Sequence, residues 1–397
     1  YVKSLKEAKP DMQIAVGGCL AQMDPEGLRK RAGHVDVIFG THNISRAADL
    51  LHEAEASGPV MEILDGPQDA EHDDRLALGA VRDSSYAAWV TLQTGCDNSC
   101  AYCIVPAVRG GEVSRPFEEL VGEVEYLAAR GICEVTLLGQ NVNSYGRDIT
   151  GRSPLFAELL RAVGAVDGIQ RVRFTSPHPK DFRLETAAAM GETPEVCNQL
   201  HLPIQSGSDE VLKSMRRGYS AKRYLEKLAM ARDAVPDLAV TTDLIVGFPG
   251  ETDAQFEETL AVVAEAQFDG AYTFIFSPRP GTRAADMVDD FVDPEIISAR
   301  YERLHSVVER SALLRHEARI GLKEAVLVDG PSRRNPAVMT GKTTQGKLVH
   351  FEATSAVPHE GDTVLCEITK AAPHFLHSTM ISTLSAPSKR RFTVAAR

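Results

Sequence analysis

Three cysteines, Cys96, Cys100 and Cys103, fall in the short run from Gly95 to Ala107, Gly-Cys-Asp-Asn-Ser-Cys-Ala-Tyr-Cys-Ile-Val-Pro-Ala. No other stretch constrains the chain so tightly, because a fold must present all three thiols where they can share one inorganic group. The run follows a strand-like stretch, Trp89 to Gln93, so the CxxxCxxC spacing sits on a loop. Three thiolates on one short loop can hold three irons of a cubane 4Fe-4S cluster. Such clusters usually take four cysteines, so three leave one iron open. An open iron can chelate a small ligand, and S-adenosylmethionine, through its amino and carboxylate groups, is the ligand this spacing implies. An electron passed to the sulfonium then breaks a carbon–sulfur bond and yields a 5'-deoxyadenosyl radical. The cofactor carries that chemistry, and the protein positions it and excludes water. Cys96, Cys100 and Cys103 are therefore the candidate catalytic and metal-ligating residues. A structural zinc site asks for a fourth ligand from a second CxxC or an HxxxH, and the chain has neither. A disulfide would leave one of the three cysteines over.

A length of 397 residues suggests two or three domains. With 25% charged and 43% hydrophobic residues the chain reads as an ordinary globular protein. No apolar run approaches the roughly 20 residues of a membrane span, and no secretory signal opens it. The expectation is a cytoplasmic monomer with no membrane partner. The first residue is Tyr1, and the opening reads like the middle of a domain, with a helix end at Val2 to Pro10 and a core strand at Met12 to Val16. We expect natural sequence upstream. The net charge of −12 argues against nucleic acid, but it is uneven. From Leu313 onward there are 12 Lys and Arg against 7 Asp and Glu, so a basic C-terminal module follows an acidic body. That is compatible with localised RNA contact.

Residues 1–53 read as an α/β domain that starts incomplete. Gln13 to Val16 is a buried strand running into Gly17-Gly18-Cys19, Asp24-Pro25 opens a helix, Val35 to Gly40 is a second strand, and Asn43 caps a helix through Leu51. Residues 54–84 read as an acidic linker. Residues 85–315 alternate strands with helices. The strands are Ala88–Gln93, Glu134–Leu138, Arg171–Thr175, Gln199–Leu202, Ala239–Val246 and Gly270–Phe276, and the helices include Phe117–Arg130, Leu155–Val163, Ser208–Met215, Tyr224–Ala234 and Asp253–Ala266. Six βα units predict a parallel, partial (β/α)6 TIM-like barrel, with its site at the C-terminal strand ends. Gly139-Gln140-Asn141, Ser176-Pro-His178, His201 to Gly207, Asp243 to Glu251 and Ser277-Pro-Arg279 follow those ends. His178 and His201 read as structural, hydrogen-bonded histidines. Residues 316–385 read as a small all-β barrel with Arg333, Arg334, Lys342 and Lys347 near its turns. Residues 386–397 are a basic tail. Cys133, Cys197 and Cys366 read as small core hydrophobes.

Taken together, these motifs resemble the radical-SAM methylthiotransferases, most closely the branch that acts on tRNA. The resemblance covers nearly the whole chain. It rests on the cluster loop with Arg109-Gly110 and Val113 to Pro116, on Leu138 to Gly146, on His201 to Gly207 and on Thr242 to Glu251. The last is similar to a GxIxGxxE adenosine-contact motif, with Asp243 in place of the first glycine but Ile245, Gly247 and Glu251 aligned. The resemblance implies a radical-SAM core, a TRAM-like C-terminal barrel that binds tRNA, and a second 4Fe-4S cluster in the N-terminal domain. Cys19 matches one ligand of that second cluster, and the other two are expected upstream of Tyr1. It implies that hydrogen is abstracted from C2 of an isopentenylated adenosine next to the anticodon, and that a methylated sulfur is added there. It also implies an electron donor such as flavodoxin or ferredoxin. Gln140, Asn141, Ile245, Gly247 and Glu251 are the candidate S-adenosylmethionine pocket. Two alternatives stand beside it. One is a methylthiotransferase acting on another tRNA adenosine or on a ribosomal protein, and the other is a non-catalytic RNA-binding fragment.

Overall fold

The computed structural model describes residues 2–64, 84–353 and 357–387. Most of the expected linker and the Lys389-Arg390-Arg391 tail lie outside them. The chain divides into two compact units.

The first unit is a small α/β layer. Its strands β1 (Ala15–Gly17), β2 (Val37–Phe39) and β3 (Val60–Glu62) lie parallel in sequence order. Parallel neighbours require crossover connections, which helices Pro25–Arg31 and Ala47–Ser57 provide. Asp24 caps the first of these, accepting the Gly27 N–H at 3.0 Å. Ile14, Ala21, Val35 and Ile38 form one small core, and Val37, Leu50 and Ala54 another.

Three expectations need correcting here. β1 is an edge strand with Ala15 and Gly17 exposed, and the buried residue is Ile14 just before it. Asn43 caps no α-helix. A 3-10 turn follows it, the helix starts only at Ala47, and its amide instead donates to Glu62 at 2.7 Å and accepts from the Leu64 N–H at 3.3 Å. The domain does not end at residue 53. The helix runs to Ser57 and β3 follows, pairing with β2, whose edge would otherwise lie open.

The second unit contains both larger domains. Strands β4 (Ala87–Thr91), β5 (Glu134–Leu138), β6 (Arg171–Phe174), β7 (Gln199–His201), β8 (Ala239–Val246) and β9 (Gly270–Ile275) are all parallel. They pair as two triplets, β4-β5-β6 and β7-β8-β9. A parallel bridge between Val172 and Val196 joins the triplets, with Val172 N–H on the Glu195 carbonyl at 2.7 Å. Six strands in sequence order, with no β4–β9 pairing among the described residues, make the expected partial barrel. Val135, Leu137, Val172, Leu200, Val240, Leu244 and Val246 fill its core against Leu120, Leu159, Leu160, Tyr224, Leu228, Phe256 and Val263 of the covering helices. Strands buried on both faces are read as short apolar runs, which is why their positions are legible. Helix Asp253–Ala266 begins with a capping box of Thr252 and Gln255.

The long helix Pro294–Glu317, capped by Asp293, leads into a closed five-stranded barrel. Its strands are β10 (Lys323–Pro331), β11 (Val338–Lys342), β12 (Leu348–Glu352), β13 (Thr363–Ala371) and β14 (Leu376–Ser385), in the order β10-β11-β12-β14-β13. Closure removes the sheet edges, and Val326, Val328, Met339, Val349, Phe351, Val364 and Ile368 fill the interior. Cys366 lies among them, and Cys133 and Cys197 are likewise buried. Burial pushes the Cys133 and Cys366 thiols up to about 11.

The small barrel docks on the N-terminal ends of the core strands. Arg171, first in β6, donates to the Lys342 and Ala325 carbonyls at 2.7 and 3.0 Å. Arg173 donates to the Thr343 and Thr344 carbonyls at 2.8 and 3.1 Å, and Tyr86, just before β4, bonds Asp329 at 2.7 Å. Lys347, expected as an exposed cation, is buried and pairs with Asp269 at 2.6 Å. It belongs to this docking surface, whereas Arg333, Arg334 and Lys342 are exposed. Among the described residues no helix is long and apolar enough to cross a membrane.

Candidate active site

Within the first unit, the flanks of the cluster loop are fixed by backbone. Gly95 has φ of +78°, and a Cβ there would lie 1.8 Å from the Gly111 carbonyl oxygen, so only glycine fits. Cys96 N–H donates to the Gly110 carbonyl at 3.1 Å, and the Asp97 carboxylate accepts from the Glu112 N–H at 3.0 Å. Two residues beyond Cys103, helix Val105–Arg109 begins, and it packs against helix Cys19–Met23. Cys19 is half-buried at the first position of that helix, after Gly18 at φ of +103°. Thr41 donates to the Val108 carbonyl, and Gln22 accepts the Thr41 N–H at 3.0 Å.

Within the second unit, Cys100 stands one residue before a packed anchor. Ala101 N–H donates to the Met215 carbonyl and its own carbonyl accepts from the Ala284 N–H, both at 2.9 Å. Ala101 packs with Val211, Met215, Phe248 and Ala284, and Ile245 joins from β8. Arg217 extends Nη1 to the Cys100 sulfur at 3.3 Å. Its Nε donates to the Tyr219 hydroxyl at 2.9 Å and its Nη2 to the Pro203 carbonyl at 3.1 Å.

The C-terminal ends of β4 to β8 form a polar mouth. Gln93 donates to the Asn141 carbonyl at 2.9 Å. Asn141 donates to Asp181 at 2.9 Å, and Arg147 pairs with the same carboxylate at 2.7 Å. Burial opposes ionisation of Asp181, but these two donors outweigh it and hold its pKa below the usual carboxylate range. His178 accepts the Lys180 N–H on Nδ1 at 3.2 Å, which leaves the ring proton on Nε2. Burial first, then the Arg217 charge, push its pKa down to about 3, so the ring is neutral. Among the described residues, Gln93 Oε1, Gln140 Oε1 and His178 Nε2 are buried atoms with no hydrogen-bond partner. Buried polar atoms are ordinarily satisfied, so three at one mouth mark a place where a polar ligand belongs. Ser176 and Gln205, at φ of +60° and +74°, lie in the same loops. Such conformations concentrate at functional sites. His201 is satisfied by Thr241 at 3.0 Å and lies 3.5 Å from Asp243.

The Glu251 carboxylate accepts from the Gly247 N–H at 2.9 Å and pairs with Arg300 at 3.0 Å. Gly247 has φ of +72°, and a Cβ there would meet Ile297 at 2.6 Å. Glu251 thus staples its own loop, and Ile245 packs on the Ala101 anchor.

Among the described residues no three His, Cys, Asp or Glu side chains converge on one ion position. A cubane does not ask for that, because each thiolate binds a separate iron. What the donor set does offer is thiols free of disulfides among the described residues. One of them, Cys100, faces a buried cation, so the residues present fit an anionic iron–sulfur group.

The family model of the Radical SAM superfamily matches residues 90–263, and that of the TRAM domain matches residues 318–381. A tRNA-2-methylthio-N(6)-dimethylallyladenosine synthase of Acidothermus cellulolyticus is 50% identical over 379 residues, covering 94% of this chain and 74% of the relative. This chain belongs to the tRNA-2-methylthio-N(6)-dimethylallyladenosine synthase family. Its similarity to members from Parafrankia and Mycobacterium marinum is of the same order, 48% over 94% of the chain and 47% over 95%, spanning 76% and 74% of those relatives. Radical SAM membership implies S-adenosylmethionine and a 4Fe-4S cluster. Sequence reasoning does not single out Gln93, Asp181 or Arg217, which the structure brings to the polar mouth and to Cys100. Gln93 reads only as the end of a strand. Arg217 follows Arg216 in what reads as a charged turn, with no local signal that one of the two points inward.

Proposed function

We propose that this chain is a radical-SAM tRNA methylthiotransferase that adds a methylthio group at C2 of an isopentenylated adenosine next to the anticodon. The observation that carries this reading is the match to synthases of that name over 94% of the chain. Cys96, Cys100 and Cys103 hold the radical-SAM cluster, and Cys19 contributes one thiolate to a second. When bound, the first cluster supplies the electron that splits S-adenosylmethionine, the source of radical chemistry at adenosine C2.

The chain's own residues prepare the place. The Ala101 anchor fixes Cys100 beside the polar mouth. Gln93, Gln140 and His178 offer two acceptors and one donor to the polar groups of a nucleoside or an amino acid moiety. Asn141 orients Asp181 and takes Gln93 on its carbonyl, so it acts as scaffold to that mouth. The neutral His178 ring donates from Nε2 without bringing charge. The TRAM barrel supplies exposed Arg333, Arg334 and Lys342 to RNA phosphates. An electron donor such as flavodoxin or ferredoxin supplies the electrons.

The test is anaerobic iron content, 5'-deoxyadenosine formation and tRNA nucleoside analysis on two variants. Cys100→Ala should bind almost no cluster iron and form no 5'-deoxyadenosine above background, since two thiolates cannot hold a site-differentiated cubane. In a form extended upstream of Tyr1, where the remaining ligands of the second cluster are expected, Cys19→Ser should still cleave S-adenosylmethionine but yield no methylthio nucleoside, whereas the same form with Cys19 intact should yield it. Undiminished cleavage by Cys100→Ala would sink the assignment.

A further inference from the structure

Arg217 is 5% exposed, yet among the described residues no carboxylate pairs with it. Most of the other buried or half-buried arginines of this unit meet a carboxylate, while Arg232, like Arg171, is held by backbone carbonyls. Arg300 pairs with Glu251 and Asp253, Arg115 with Glu119 and Glu123, Arg173 with Glu134, and Arg147 with Asp181. Arg171, held by carbonyls, still feels the Glu134 charge. Arg217 faces Tyr102, Tyr219 and Cys100. A charge taken out of water without a partner is costly, so a buried cation implies an anion. Of the groups Arg217 touches, only the Cys100 sulfur is of the type that binds cluster iron, and it does so as an anion, with Nη1 at 3.3 Å.

The arrangement is rigid. Arg217 N–H donates to the Leu212 carbonyl at 2.9 Å, and the preceding Arg216 adopts φ of +58° to turn the chain. The turn is pinned to the cysteine loop through Ala101 and Met215. Tyr219, which receives Nε, donates onward to the Ile204 carbonyl at 2.9 Å and fixes the guanidinium plane.

We infer that Arg217 is the fixed counter-ion of the iron–sulfur cluster at Cys100 and raises that cluster's reduction potential. This rests on the proposed ligation by Cys96, Cys100 and Cys103. With three thiolates an oxidised cubane carries one net negative charge, and a single electron from a low-potential reductant adds a second. A cation held at the sulfur favours the more negative state, so it eases the electron's entry. Arg217 acts through Cys100 and is a positioning residue, not a catalytic one.

The experiment is an EPR-monitored titration of the anaerobically reconstituted 397-residue chain with titanium(III) citrate, for wild type, Arg217→Gln and Arg217→Lys. Iron content is measured alongside. Arg217→Gln should make reduction harder by at least tenfold in its equilibrium constant, a midpoint lowered by about 59 mV for one electron. Arg217→Lys, which keeps the charge, should load iron and stay within about threefold of wild type, or about 30 mV. An Arg217→Gln protein that loads iron and titrates like wild type overturns the inference. If Arg217→Gln does not load, a loaded Arg217→Lys with wild-type midpoint sustains it, and an equal failure of Arg217→Lys overturns it. Wild type that takes up no cluster iron is a separate outcome, the failure of the ligation reading itself.

Discussion

His178 shows how one buried ring ties stability to acidity. Its folded pKa of about 3 lies below the roughly 6.5 of an unfolded histidine. Between those values the unfolded chain holds a proton the folded one refuses. The ring's contribution is therefore complete above about pH 6.5 and is lost as the pH falls toward 3. His178→Gln should lose less stability than wild type between about pH 7 and pH 4.5, as read by thermal melts at matched ionic strength. Equal acid sensitivity would show that the ring is not buried neutral. Gly95 makes a steric prediction at the same scale. Gly95→Ala places a methyl on the Gly111 carbonyl in a left-handed backbone, a conformation that costs an L-residue about 1–2 kcal/mol before any clash. Iron uptake should fall steeply while the circular dichroism of the barrel is kept.

At the scale of elements, much is written locally. Ala239–Val246 and Asp253–Ala266 occur residue for residue as expected, because an apolar run and a Thr-x-x-Gln cap are signals carried within a few residues. β3 escapes a reading of the sequence because Val60 to Glu62 is a short edge strand, and its neighbour supplies the reason it exists. The mouth is legible as a set of strand ends, but its wiring is not. Asn141 meets Asp181 across 40 positions and Arg217 meets Cys100 across 117. Arg216 and Arg217 cannot be told apart by type, since a positive φ at one decides which turns inward. Lys347 misleads for the same reason, its partner Asp269 being 78 positions away. That pair gives a prediction. Lys347→Met leaves the Asp269 carboxylate buried, with Arg315 at 3.4 Å as its remaining ion-pair partner, so unfolding should be easier by about 3–5 kcal/mol in a denaturant titration. Restoration of part of that loss in Lys347→Met with Asp269→Asn is the control.

At the scale of the molecule, the two larger domains share one surface, and that changes how RNA binding is best tested. Removing everything beyond Gly321 would strip Arg171 and Arg173 of their carbonyl partners and leave Asp269 without Lys347. Loss of tRNA affinity after that truncation would report an injured barrel as readily as a missing module. Surface charge is the cleaner probe. Replacing Arg333, Arg334 and Lys342 with Ala should weaken tRNA binding. It should also flatten the plot of log affinity against log salt by about 1 for each phosphate no longer neutralised. An unchanged slope would place the RNA elsewhere.

The TRAM barrel grips the core at the N-terminal strand ends, and the polar mouth lies at the C-terminal ends. The 8 residues of β8 separate those ends by about 26 Å, at roughly 3.3 Å per residue. The second unit is therefore a caliper. With RNA phosphates held on the barrel as proposed above, a free nucleoside or a dinucleotide would be too short to meet both jaws, and a folded RNA arm would be needed to span them. The adenosine would then be selected by its distance from the held stem, so moving the target along the loop should spoil modification while leaving binding intact.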